Sequence, residues 1–190
     1  LHWQREENKM EELKLYEGRP ADCTGRLEKE IRTYDLLDKL GIQFWRTDHG
    51  WMKADTMEDC HVIDACLNTT VCKNLFLCNR QKTEFYLLAM PGDKLFQTKE
   101  LSRQLGTARL SFAPPERMEE LLGCAPGSAS VLGMAYDKSH QVHLLMDREV
   151  YESEWFGCHP CKSDATLRIQ TRDLLNIFFP YTGHPVTVVD

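Results

Sequence analysis

No stretch of about 18 consecutive apolar residues occurs in the 190-residue chain, which excludes a helix spanning a bilayer. Charged residues rather than an apolar run fill the first positions, so no signal peptide is read and a cytoplasmic setting is expected. Internal repeats and low-complexity tracts are absent, and with them the solenoid and linker-like readings. An excess of positive charge is lacking too. The formal net charge is −6, which argues against a protein gripping a long stretch of nucleic acid, and no DNA partner is expected. What remains is an ordinary soluble composition, 42% hydrophobic and 27% charged, at a length that suits one domain with a real core.

Eight cysteines are present, at positions 23, 60, 66, 72, 78, 124, 158 and 161. Most lie in apolar, periodic segments, where free cysteine behaves as a small hydrophobe. The six-residue spacing from Cys60 to Cys78 crosses a predicted helix and a predicted strand, which is unlike a metal cage. Charge is uneven. Between residues 68 and 110, Lys73, Arg80, Lys82, Lys94, Lys99, Arg103 and Arg109 face only Glu84, Asp93 and Glu100, a local charge of +4. Such a stretch is ordinarily a solvated face. It also suits contact with a short piece of RNA.

Hydrophobic spacing predicts a helix over Arg26–Leu40, stopped by Gly41, then a strand over Ile42–Thr47. A second helix opens at Thr56, with Asp59 as a capping partner. Strands follow at Val71–Leu77 and Glu84–Met90, joined by the polar turn 79–82. Thr98–Leu105 is helical and stops at Gly106, Ala108–Phe112 is a strand, and Pro114–Leu122 is a helix with Gly123 behind it. Residues 126–133 are rich in small side chains and turn. Gln141–Met146, Trp155–Cys158, Ala165–Gln170 and Pro185–Val189 are strands, and Thr171–Phe179 is helical. Interleaved helices and strands with hairpins among them predict an α/β fold: a mixed β-sheet with helices packed against it. Residues 1–25 are expected to form a polar, mobile arm and residues 26–190 the domain.

Three places could carry chemistry. Lys73 and Asn74 stand side by side in an otherwise apolar strand, where successive residues point to opposite faces. A lysine at a strand end ordinarily keeps its head in solvent; here it could instead line a pocket and stabilise charge developing at an ester. Gly127-Ser128-Ala129-Ser130 lets a backbone approach a ligand closely, or is a plain turn. Gly157-Cys158-His159-Pro160-Cys161 has three readings. A zinc site lacks a second ligand pair. A Cys-x-x-Cys redox site belongs at a helix start, whereas Ala165 onward looks like a strand. A pocket loop would present Gly157 and His159 to a substrate. The other histidines, at positions 2, 49, 61, 140, 143 and 184, show no ligand spacing.

These features follow one another in an order that resembles the YbaK/ProX family, the aminoacyl-tRNA deacylases related to the editing domain of bacterial prolyl-tRNA synthetase. Its free-standing members are the nearest in pattern. The carriers are Cys72–Leu77, Met90–Lys94, Arg109–Ala113, Leu121–Gly123 through Pro126–Ser128, Gly157–Pro160 and Gly183–Val186. The resemblance implies a trans-editing hydrolase acting on mischarged tRNA, foremost alanine on proline tRNA, with no cofactor and no metal. It implies Lys73 and His159 as catalytic residues, and Asn74, Gly127, Ser128, Ala129, Ser130, Gly157 and Cys158 as substrate-binding. Partners would be the tRNA acceptor end and prolyl-tRNA synthetase. Two departures from the family pattern lie at the pocket edge: Val131, where many members have proline, and Ser163-Asp164, where many have Asn-Thr. Two other readings stand beside it, a catalytically silent tRNA- or nucleotide-binding module and a Cys158/Cys161 thiol oxidoreductase.

Overall fold

The fold is given by a computed structural model that describes residues 3–5, 7–8, 13–50, 52 and 56–190. Two sheets form it. The first is antiparallel, in the order β1 (Tyr16–Glu17), β2 (Phe44–Asp48), β8 (Ala165–Gln170), β7 (Trp155–Cys158). The second is mixed, in the order β5 (Ser111–Phe112), β3 (Lys73–Cys78), β4 (Phe85–Met90), β6 (Val142–Asp147), β9 (Val186–Val189). There β3 pairs antiparallel with β4 and β5, while β4–β6 and β6–β9 are parallel. The mixed sheet with packed helices is as expected. Its division from a second, antiparallel sheet is new.

All six residues of β4 are buried, the pattern of a central strand covered on both faces. Its neighbour β3 divides its side chains between the two faces. Cys72, Phe76 and Cys78 join the larger core, with Tyr34, Phe44, Phe156, Leu167 and Ile169. Leu75 and Leu77 join a smaller one with Leu88, Met90 and Leu101, beneath the helix Thr98–Leu105. The larger core thus lies between the sheets, roofed by the helix Glu28–Lys39 through Tyr34 and Leu37.

Local signals set the helix ends. Thr56 Oγ1 accepts the Asp59 N–H at 3.1 Å and caps the helix Met57–Leu67. Gly106 and Gly123, at φ 66° and 64°, end Thr98–Leu105 and Pro115–Leu122 in the left-handed conformation. Two segments depart from expectation. The strand predicted over Ala108–Phe112 shrinks to Ser111–Phe112, because the N–H of Leu110 goes to Ser102 Oγ (3.1 Å) and that of Thr107 to Ser102 O (3.1 Å). Within the predicted turn, Ser130 caps a 3-10 helix, Val131–Tyr136, accepting the Leu132 N–H at 3.2 Å.

The expected arm, residues 1–25, lies partly outside the described residues. Between Leu13 and Gly18 it is tied down. Leu13 is buried in a small cluster with Val62, Ile63 and Leu67, Tyr16 and Glu17 pair with β2, and the Gly18 N–H reaches Phe44 O at 2.8 Å. The open edge of β2 is what captures it. No described helix is long and apolar enough to cross a membrane.

Candidate functional site

The two sheets meet at one corner. Val71 forms a parallel bridge to Gly157, and the Cys72 N–H donates to Gly157 O at 3.1 Å, so the start of β3 lies against β7. Gly157 is required there. A Cβ on it would stand 2.9 Å from Val71 Cα and 3.0 Å from Thr70 O, both backbone atoms that cannot swing aside. Gly157→Ala is therefore expected to part the sheets locally and cost about 1–3 kcal/mol, the usual penalty of overpacking. Thermal unfolding checks this, and an unchanged melting temperature would mean that the junction yields freely.

Lys73 opens β3 opposite Met90, on the face that carries Leu75 and Leu77. Its Nζ donates to the backbone carbonyl of Lys94. Lys94 is held in turn, its Nζ donating to the buried Asp147 at 2.7 Å, while Asp147 Oδ1 accepts the Glu149 N–H at 2.9 Å. The Pro91–Lys94 loop and the end of β6 thus fix the ammonium of Lys73, which has two further protons to offer. Asn74 points the other way, toward the inter-sheet core. Its Nδ2 reaches Cys72 O at 3.4 Å, and its Oδ1 is buried with no partner among the described residues. A buried amide oxygen without a donor costs free energy until something supplies one.

The two loops are joined from below. The Ser130 hydroxyl touches the Cys158 thiol, and both residues are fully buried. Ser128 Oγ donates to Ala125 O at 2.8 Å, and the Ser128 N–H to the same carbonyl at 3.0 Å. The polar groups of Ser128 and Ser130 thus stiffen the loop from inside. Gly127, exposed at φ 84°, and the half-buried Ala129 form its outer surface. Val131 is wholly inside the core. Asp164 accepts the His49 N–H at 2.8 Å through its carbonyl and pairs with Lys162 at 2.6 Å through its carboxylate.

His159 follows β7. Its Nδ1 lies 2.9 Å from Ala165 O and 3.4 Å from Thr166 Oγ1, and Thr166 Oγ1 lies 2.8 Å from His49 Nε2. Burial lowers the pKa of both rings, that of His49 to about 4, with the neighbouring His159 adding to the shift. A neutral ring in the fold and an ordinary one in the unfolded chain make stability depend on pH. The contribution is intact above about 6.5, falls as the unfolded ring alone protonates, and is lost by about pH 4. For His49 the expected loss is at most about 3 kcal/mol. Urea midpoints at pH 7 and 4.5 should fall closer together in His49→Gln than in the native chain. Equal spacing in both would contradict this.

Sequence spacing paired Cys158 with Cys161. The structure pairs Cys161 with Cys124 instead, beside Thr33 Oγ1 at 3.8 Å, and buries all three thiols. Burial pushes the Cys158 thiol up, and the Cys124 side chain together with burial pushes the Cys161 thiol up, the reverse of what a redox nucleophile needs. Among the described residues no three His, Cys, Asp or Glu side chains gather as a metal cage. Beside the strand start lies a cleft of about 450 Å³ lined by Thr70, Cys72, Pro91, Trp155 and the carboxylates Asp93, Glu149 and Glu154. His49, Thr166 and the Lys94–Asp147 pair are the site neighbours that sequence reasoning missed. His49 sits 110 positions from His159, and no local spacing could link them.

A two-sheet α/β domain whose lysine–asparagine strand start abuts a glycine–cysteine–histidine strand end is the class that fold and site define. The sequence profile of the aminoacyl-tRNA editing domain matches residues 52–177, and the chain belongs to that family. Prolyl-tRNA editing protein ProX of Acetoanaerobium sticklandii is 28% identical over 141 residues, 74% of this chain and 85% of that protein. Prolyl-tRNA synthetase associated domain-containing protein 1 of Mus musculus is 30% identical over 122 residues, 62% of this chain and 71% of that protein. A solved structure described as a candidate trans-editing enzyme for prolyl tRNA synthetase aligns with a TM-score of 0.61 at 15% identity, over 85% of this chain and 96% of that one. At that identity the likeness is one of fold.

Proposed function

We propose that this protein is an aminoacyl-tRNA deacylase, acting in trans in the cytoplasm on alanine wrongly attached to proline tRNA. Family membership supports the reaction class, and the contact of Val71 and Cys72, at the entry to the Lys73-Asn74 strand, with Gly157, two residues before His159, supports the assignment of the site. An aminoacyl ester is already activated, so a positioned water and donors at the developing oxyanion suffice, without a protein nucleophile. Lys73 anchors the 3′-terminal adenosine and polarises the ester. Asn74, with its open amide oxygen, orients the substrate, and Gly127, Ala129 and Gly157 shape the wall. The buried Ser128, Ser130 and Cys158 hold that wall in place. His159 orients the attacking water.

The acid-lined cleft repels phosphate, so the acceptor end approaches from the Lys73 side. Specificity follows from volume: alanine enters and the larger, cyclic proline does not, the second sieve of an editing scheme. Prolyl-tRNA synthetase is the partner that would deliver the mischarged tRNA. The test is a panel of alanyl-, seryl-, cysteinyl- and prolyl-tRNA(Pro) under single turnover. Rapid release of alanine with proline spared supports the reading. Preference for serine or cysteine would move the specificity and leave the reaction standing.

A further inference from the structure

His49 has no part in the deacylase site as argued so far, yet it is almost wholly buried, polar and placed on a path to His159. The hydrogen bonds along this path have a direction. Ala165 O can only accept, so the 2.9 Å contact requires His159 to carry its proton on Nδ1. Nδ1–H then also faces Thr166 Oγ1, which accepts at 3.4 Å. The Thr166 hydroxyl is left with one proton, and its remaining partner is His49 Nε2 at 2.8 Å. Accepting that proton puts the hydrogen of His49 on its own Nδ1, which has no well-aligned partner among the described residues and faces the residue's own carbonyl. Burial keeps both rings neutral, as this arrangement demands. The His159 Nε2 that results is a lone-pair acceptor with no hydrogen bond among the described residues, on a half-buried ring.

We propose that His49 and Thr166 are positioning residues, which hold His159 in the tautomer and orientation whose Nε2 accepts a hydrogen bond from the attacking water. The directed chain runs from His159 Nδ1–H to Thr166 Oγ1–H to His49 Nε2. Reversing any link would bring a proton to His159 Nε2 or leave the Thr166 hydroxyl without an acceptor in the core. This assignment rests on the deacylase reading for its kinetic consequence, and on the fold alone for the tautomer.

The experiment has two arms. Nitrogen-15 NMR of the free protein should show His159 and His49 both protonated at Nδ1 and unprotonated at Nε2. A protonated His159 Nε2 overturns the proposal without reference to any substrate. In single-turnover and steady-state deacylation of alanyl-tRNA(Pro), Thr166→Val should lower kcat roughly tenfold with KM within about twofold, the signature of misplacement and not of lost binding. Thr166→Ser, which keeps the hydroxyl, and His49→Gln, whose amide oxygen can replace Nε2 as acceptor, should stay within about threefold of the native rate. His49→Leu should fall with Thr166→Val. If Thr166→Val and Thr166→Ser are equally impaired, or neither is, the residues only fill space and the proposal is wrong. A native protein that hydrolyses no aminoacyl-tRNA would sink the deacylase reading by itself, because the NMR arm still decides the relay.

Discussion

Lys73→Ala is expected to reduce single-turnover deacylation of alanyl-tRNA(Pro) by about 10²–10³-fold, the usual consequence of losing one preorganised donor at a developing oxyanion. The ammonium is held by the Lys94 carbonyl, and the 2.7 Å pair between Lys94 and Asp147 holds that loop, so the charge is in place before substrate arrives. Preorganisation of this kind lowers the barrier because nothing has to reorganise during the reaction. Lys73→Arg should recover little, since a planar fork on a longer stem cannot replace a compact ammonium tethered to one carbonyl. Folding should survive both changes, because Lys73 is half-buried and occupies the first residue of β3, outside the large core. Circular dichroism and melting temperature provide that control. Native-like turnover in Lys73→Ala would remove this residue from the mechanism.

The second large effect is on stability and lies away from the site. Asp137 is buried, and its carboxylate has three partners at hydrogen-bond length: Gln141 N–H at 3.0 Å, Val142 N–H at 2.8 Å and His184 Nε2 at 2.9 Å; its own backbone N–H donates to Met134 O at 3.2 Å and closes the end of the 3-10 helix. His184, 4% exposed, is braced on its other nitrogen by Thr182 Oγ1 at 2.9 Å. The pair fastens the 3-10 helix, the start of β6 and the approach to β9 to one another. Asp137→Ala would leave two backbone donors and a histidine without their acceptor, and should cost roughly 3–5 kcal/mol, as removal of one partner of a buried pair does. At about 2–4 °C per kcal/mol for a domain of this size, the melting temperature should drop by about 10 °C. A shift below about 2 °C, less than 1 kcal/mol by that same scale, would mean that water replaces the carboxylate.

This pair also explains one part of the sequence pattern. Gly183-His184-Pro185-Val186 marks the family resemblance near the end of the chain, yet its histidine is a fastening of the core and lies outside the proposed site. Gly183, at φ 78°, lies under the His140 ring, whose Nε2 would stand 2.8 Å from an added Cβ. The motif therefore records packing, whereas Cys72-Lys73-Asn74 marks the corner where the sheets meet.

Much of the fold was legible because its signals are local. Gly106 and Gly123 stop helices, Thr56 starts one, and the alternation of β3 and β4 sets a hairpin. Partner choice was not legible, since the division into two sheets depends on Gly157 meeting Val71 across 86 positions. The strand predicted over Ala108–Phe112 failed for a similar reason: a serine hydroxyl from a neighbouring helix takes the N–H that a ladder would use. At the site, Lys73 and Asn74 were visible as polar residues in an apolar strand. Closeness in sequence said nothing of the neighbour of Cys161, which is Cys124. His49 and Thr166 gave no sign at all, since a hydrogen-bond chain across the antiparallel sheet has no sequence period.

The central claim is that the corner formed by Lys73, Asn74 and the Gly157–His159 segment hydrolyses an aminoacyl ester. Its most direct test is the rate at which the native protein releases alanine from alanyl-tRNA(Pro) in single turnover, measured against the spontaneous rate and with prolyl-tRNA(Pro) alongside. Release well above the spontaneous rate, with proline retained, is the predicted result. Binding of the tRNA with release no faster than in buffer would contradict it, and would make this chain a silent tRNA-binding module on an editing fold.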